Sequence, residues 1–389
     1  MIVRASDKIQ VDLTRCQQCG SCISVCKKNA IEWGTNSNTG LLDITINQDR
    51  CVKCGHCYNI CPANKDTQVD DINGLINSRS FYLGHSKDDV VRTKSTSGGV
   101  VKTIIVEGLK SGFFDGVYTL RKTNKYPFAE GHLFTSADIP DYTDIPNSVY
   151  HSVPLNLNME QIRDCKRLLI IGTACQLSAL SKYARKQCSE LYSICIFCKQ
   201  QKTFDSTRFI AKMAGEKLRN IDDLRVVEYR GNGWPGRCKF NDKKIPWEKA
   251  ATLPFGKKLW CVPGCHICGN PYGEDTDITV MDPWWLNVDR KSGQSLFSVN
   301  SEGGQILLQA LSSYLDYNAK SVSDVTPALS ISVLNEKNKF IPYFRGEAVS
   351  DDLRKKGDDI VRKRLLLERI LTSLPRMPKL FYKVINRLF

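Results

Sequence analysis

Eight cysteines lie in two matching runs, Cys16-x2-Cys19-x2-Cys22-x3-Cys26 and Cys51-x2-Cys54-x2-Cys57-x3-Cys61, the second followed by Pro62. This repeated run is the bacterial spacing for a pair of 4Fe–4S clusters. Three thiolates two residues apart wrap one face of a cube, and the fourth, a turn further on, points at the other cube. The spacing therefore predicts Cys16, Cys19 and Cys22 with Cys61 on one cluster, and Cys51, Cys54 and Cys57 with Cys26 on the other. Gly20 and Gly55 fall at the same place in both runs, where the backbone must pass close to sulfide without a Cβ. Lys27 stands where the first run would usually carry proline. Zinc also takes four cysteines, but zinc knuckles set two C-x2-C pairs apart by a longer loop. Two neighbouring clusters form an electron relay, not a catalyst.

A third group, Cys261-x3-Cys265-x2-Cys268, needs a fourth ligand from elsewhere. Cys198, just past an expected strand end, is the first choice, with Cys195 and Cys175 as alternatives. A relay must end near the chemistry it feeds, which favours a third 4Fe–4S cluster over zinc here. Cys165, Cys188 and Cys238 are expected to be structural. The 17 cysteines are odd in number and tightly spaced, unlike a disulfide framework. With no apolar signal-peptide run and no stretch of about 18 apolar residues, a cytoplasmic chain is expected.

The elements that must position these groups follow from periodicity. Residues 63–80 are rich in Asn and Asp and read as a linker. Lys94-Ser95-Thr96-Ser97-Gly98-Gly99 opens a helix ending near Gly112, an arrangement suited to an anion such as phosphate, or simply to a well-capped helix. The apolar run of residues 167–171 predicts a buried strand, then the turn Gly172-Thr173-Ala174-Cys175-Gln176, a helix, and a strand over 191–197. Such strand–turn–helix–strand units imply α/β architecture with a site at the strands' carboxyl ends. Tyr229-Arg230-Gly231-Asn232-Gly233-Trp234 is a glycine-rich loop with one cation. The fold expected is a small α+β two-cluster domain (1–66), a linker (67–80), a mixed α/β domain (81–345) and a basic helical tail (346–389).

In their order, the segment from Lys94 to Gly99, the turn from Gly172 to Gln176, the Cys198 segment, the Gly233-Trp234 loop and the third cysteine group ahead of Asp277 and Asp282 resemble the coenzyme F420 hydrogenase/dehydrogenase beta-subunit family, in the form with an N-terminal ferredoxin domain. The resemblance spans roughly residues 1–300. It implies FAD beside a 4Fe–4S cluster, lined by Lys94, Ser95, Ser97, Gly98, Gly99, Thr173, Cys175, Gln176 and Arg230. It also implies an oxidoreductase relaying electrons from reduced ferredoxin or a similar donor to an organic acceptor. In some branches that acceptor is the deazaflavin itself; related genes also occur among polysaccharide-biosynthesis enzymes. An electron-transfer subunit docked to a larger complex is the alternative. The chain departs from the family at Ser148-Val149-Tyr150, at Ala174, and at Cys198-Lys199-Gln200, where a lysine and a histidine are replaced. His132 and His151 remain as proton-donor candidates or structural histidines.

The net charge of +14 is uneven. Residues 354–389 hold eleven Lys or Arg against three acidic residues, a net +8. The body's modest excess does not suit a nucleic-acid binder. Residues 361–374 place Leu365, Leu366, Ile370 and Leu374 at helical spacing, and residues 379–389 resume the pattern beyond Pro375 and Pro378. Such a basic amphipathic tail fits an anionic membrane surface at the inner face, or an ordinary packed helix.

Overall fold

The computed structural model describes residues 1–5, 8–64, 69–375 and 384. At the N-terminus, β1 (Ile2–Ala5) pairs antiparallel with β2 (Lys8–Val11), and β3 (Ile31–Thr35) with β4 (Leu42–Ile46). Each cysteine run turns into a short helix, Ser21–Ser24 or His56–Ile60, through a left-handed glycine: Gly20 at φ +88° and Gly55 at φ +77°. That conformation costs any residue with a Cβ, which explains the matching glycines. Ile2, Ile9, Ile31, Leu42 and Ile44 make a small core around the cysteines. A core this small gains much of its stability from bound metal.

The body is an α/β fold. Along the chain come β5 (Ser80–Ser86), β6 (Gly116–Lys122), β7 (Ala129–Thr135), β8 (Arg167–Gly172), β9 (Glu190–Ile196), β10 (Val227–Glu228), β11 (Arg237–Phe240), β12 (Lys243–Pro246), β13 (Ile278–Met281), β14 (Ser295–Val299) and β15 (Leu315–Lys320). Among the described residues, eight of these make one sheet ordered β15-β5-β14-β13-β9-β8-β6-β7. Its central run β13-β9-β8-β6 is parallel, and the flanking pairs are antiparallel. Leu168, Leu169, Ile170 and Ile171 of β8 are all buried, as a parallel strand covered on both faces requires. Helices Val100–Lys110 and Ala174–Ala184 supply part of that cover. The parallel strands end together, so the segments after β8, β9 and β13 share one edge.

Strands β10–β12 form a separate small sheet over helix Phe204–Ala214, with Phe204, Ile210, Tyr229, Phe240 and Trp247 in its core. The segment expected as a linker is partly structured instead. Helix Ile72–Asn77 is capped by Asp71 and buries Ile72 and Ile76 against Tyr272 and Leu334. Residues 65–68 lie outside the described residues.

The tail expectation needs a correction of its face. Helix Asp351–Ser373 buries Leu367 and Leu371 in the core of the small sheet, while Leu365 and Leu366 are 43% and 49% exposed. The leucine triplet at 365–367 offers more than one face at 100° per residue. The body takes the one continued by Ile370 and Leu371. Two buried leucines contribute roughly 3–6 kcal/mol, as an upper bound, to keeping this helix on the body. The second half of the expected tail helix, residues 379–389, lies outside the described residues apart from Val384. Among the described residues no helix is long and apolar enough to cross a membrane.

Candidate functional site

The structure gathers the N-terminal cysteines across the two runs. Cys16, Cys19, Cys22 and Cys61 line one cavity, with about 370 Å³ of empty space counted to its open mouth. Burial pushes the Cys19 thiol up to about 12, and Cys61 adds to the shift although it is far away in sequence. Burial likewise raises Cys57 to about 11, with Cys26, Cys51 and Cys54 pressing on it. Thiols crowded this way resist ionisation until a metal replaces their protons. Among the described residues no three His, Cys, Asp or Glu side chains converge as for a single metal ion. Cys16, Cys19, Cys22 and Cys61 rim the cavity, and four thiols are the ligand set of a 4Fe–4S cluster.

A second cavity, of about 320 Å³ on the same measure, lies at the carboxyl edge of β8 and β9. Cys175, Cys198, Cys265 and Cys268 line it, with Gln17, Lys199, Gln200 and Gln201. Burial holds Cys198 at about 11, with Cys268 adding to the shift. Cys261 stands just behind. Its Sγ meets Gln200 Oε1 at 2.8 Å and the Lys202 ammonium at 3.6 Å. Cys195 is fully buried on β9 beneath Gly273 and does not line the cavity. Five thiols thus surround four possible corners. The C-terminal helix clamps this loop: Glu368 accepts the Trp260 N–H at 2.6 Å, and Arg364 lies 2.6 Å from His266. The basic tail segment therefore has a place in the site itself.

The loop of residues 94–99 sits further along the same edge, beside β5 and β14. Gly98 N–H donates to Ser295 Oγ at 2.9 Å. A Cβ at Gly98 would meet Gly84 O and Ser295 N at 2.6 Å, so only glycine fits. Ser97 Oγ is 3.1 Å from Ser295 Oγ, and Lys94 Nζ is exposed, donating to Asn232 Oδ1 at 3.1 Å. Ser95 Oγ and Asn147 Oδ1 are buried with no hydrogen-bond partner. Buried orphans of this kind call for a ligand or water. Thr173, Cys175 and Gln176 are elsewhere, at the end of β8. From β5 to β8 is four strand steps, roughly 19 Å, a span for an extended dinucleotide and not for a mononucleotide.

Two residues implied as cofactor contacts are committed to the protein. Gln176 caps its own helix, accepting from Thr173 N–H at 2.9 Å and donating to Val153 O. Arg230 is fully buried between Trp247 and Trp284, 5.3 and 5.4 Å from their ring centroids. Its guanidinium donates to Pro235 O, Tyr150 Oη, Thr96 O and both Asp282 oxygens. Those are all five of its N–H groups. Burial opposes its charge, but Asp282 and Tyr150 outweigh that and hold its pKa above the ordinary arginine value. Arg230 is a hub tying the 94–99 loop to the end of β13.

The histidines stand apart. His151 is buried between Tyr229 Oη and Pro127 O at 2.8 Å each, and burial lowers its pKa to about 4, so it is a neutral structural residue. His132 faces Asp138 at 2.9 Å on β7. Lys202, Gln17 and Asn147 carried no sequence signal, since each belongs to the site only through folding.

Known proteins match along the same chain. The description "Coenzyme F420 hydrogenase/dehydrogenase, beta subunit N-term" matches residues 81–157, and its C-terminal counterpart matches residues 165–324, together more than half of the chain. A 4Fe-4S dicluster domain matches residues 15–65. No curated protein matches. Among solved structures, a chain in "Xenon derivatization of the F420-reducing [NiFe] hydrogenase complex from Methanosarcina barkeri" is similar in fold. It is 18% identical, with a TM-score of 0.51, and the match covers 72% of this chain and 94% of that one. With its iron–sulfur domain fused ahead of both halves of the family's fold, this chain belongs to the coenzyme F420 hydrogenase/dehydrogenase beta-subunit family.

Proposed function

We propose that this chain is the electron-transfer, beta-type subunit of a larger redox complex, linking a one-electron donor to FAD along the carboxyl edge of the sheet. The observation that carries this is Gln17. Its buried side chain lines both the cavity of Cys16, Cys19, Cys22 and Cys61 and the cavity of Cys198, Cys265 and Cys268. One side chain therefore separates the first thiol set from the third. Iron–sulfur clusters supply one-electron steps, and FAD couples them to two-electron chemistry on an organic acceptor.

The chain's own part is spacing and orientation. The two crossed N-terminal sets would hold two clusters; Cys198, Cys265 and Cys268, with Cys261 or Cys175, would hold a third. Lys94, Ser95 and the backbone of residues 97–99 would hold the FAD phosphates, kept in place by Arg230 and Asp282. Cys54 is exposed, as are Lys27, Lys28 and Lys53 beside the second set. A cationic entry surface suits an acidic carrier such as ferredoxin. Coenzyme F420 is the acceptor the family suggests. A self-standing reductase in polysaccharide biosynthesis finds no support in any residue of the site. Membrane contact would be left to Ile360, Leu365 and Leu366, since Leu367 and Leu371 are spent on packing.

The test is anaerobic mixing of the full chain, loaded with iron and FAD, with reduced ferredoxin. Flavin absorbance should bleach after the clusters reduce, at a rate that falls as salt rises. Clusters that reduce while the flavin stays oxidised would contradict the relay.

A further inference from the structure

We propose that the third thiol set is the highest-potential iron–sulfur centre of this chain, held there by the buried Lys202 and a collar of cations, so that electrons run inward. This rests on the relay described above. Lys202 is 1% exposed. Its Nζ donates to Leu259 O at 2.8 Å and Pro254 O at 3.0 Å, reaches Cys261 Sγ at 3.6 Å, and lies 4.8 Å from the Phe255 ring centroid. Three acceptors face three N–H groups. That pattern satisfies an ammonium; burial pulls the Lys202 pKa below the ordinary lysine value, and the Cys261 sulfur pulls it back up.

Other cations surround the same thiols. Lys337 acts on Cys198 and Cys265, Lys199 lies next to Cys198 in the chain, and Lys258 faces Cys261. Arg364 contacts His266, which stands between Cys265 and Cys268 in the chain. The acidic groups in range are Glu368 near Lys202, Glu336 near Lys258 and Asp282 near Lys199, fewer than the cations. Lys27, Lys28 and Lys53 beside the N-terminal cysteines are exposed, so water and salt screen them, and the groups that reach those sulfurs are neutral: Gln18 N–H at 3.4 Å from Cys16, Ala30 N–H at 3.3 Å from Cys26, and Ser21 Oγ at 3.3 Å from Cys19.

A cluster on four thiolates is an anion that gains one more negative charge on reduction. Cations beside it stabilise the reduced form more than the oxidised one, and net charge and hydrogen bonds to sulfur set cluster potentials. Burial strengthens the effect for Lys202, because little solvent screens it. Each electron the third centre gains is one the neighbouring N-terminal centre loses, and the cation field drives that exchange inward. The lysines change no ligand and take no electron.

The experiment is an EPR-monitored redox titration of the full-length, iron-loaded chain. The third centre is identified as the signal missing from Cys265→Ala. It should be the first to reduce as the potential is lowered. Lys202→Met should move it to more negative potential with iron content kept, leaving the N-terminal signals in place. Lys337→Gln should move it the same way by less, and it decides the matter if Lys202→Met loses iron. A third signal that reduces last, or that neither variant moves, would overturn the proposal while leaving the relay intact. A Cys265→Ala titration identical to the parent would overturn both.

Discussion

Arg230→Ala should destabilise the chain by about 3–5 kcal/mol, the cost of leaving a partly buried carboxylate without its partner. Asp282 is only 18% exposed and accepts two guanidinium bonds and the Trp234 Nε1–H. Removing the cation also frees Thr96 O and Tyr150 Oη, so the 94–99 loop loses its tie to β13. Folded domains have only about 5–15 kcal/mol in reserve, so this loss is large. Denaturant unfolding of parent and variant, with FAD content measured beside it, checks both effects. Asp282→Asn should be milder, because the amide oxygen still accepts from Arg230. If Arg230→Ala keeps full stability and loses only FAD, then Arg230 is a direct cofactor contact, and all five of its protein bonds count for little.

Cys198→Ala should cut electron delivery to FAD to background and lower iron from about twelve to about eight per chain. The two N-terminal centres should still reduce, because their eight cysteines are untouched. FAD should remain bound, since the 94–99 loop lies further along the sheet edge. Both sets proposed for this cavity, Cys198, Cys265 and Cys268 with either Cys261 or Cys175, contain Cys198, so its removal breaks both. Parallel Cys175→Ala and Cys261→Ala variants assign the last corner to whichever loses iron. Stopped-flow flavin absorbance with iron analysis reads all three. Unchanged iron in Cys198→Ala would move that corner to Cys175, with Cys261, Cys265 and Cys268 as the other three.

Much of this was legible before folding. The crossed pairing of Cys61 with the first run follows from ligand reach, and the structure places those four thiols around one cavity. Strands β8 and β9 and the helix between them follow from an apolar run, a turn and helical periodicity. Helix Ile72–Asn77 was hidden because its polar residues face water and only Ile72, Leu75 and Ile76 pack. Arg230 reads as a ligand in sequence, since a cation in a glycine-rich loop gives no hint that Asp282, fifty residues on, will claim it. The tail's leucine triplet offers two faces, and only the body's core chooses between them. Lys202 could not be read at all: lysines are rarely buried, and what holds this one is two carbonyls and a thiol brought together by folding.

The most direct measurement is the metal and flavin content of the full chain purified without oxygen. Three four-iron centres and one flavin predict about twelve iron, about twelve acid-labile sulfides and one FAD per chain, with no zinc. Eight iron with one zinc would leave the third thiol set a structural metal site and break the path between Gln17 and the flavin, contradicting the account at its centre.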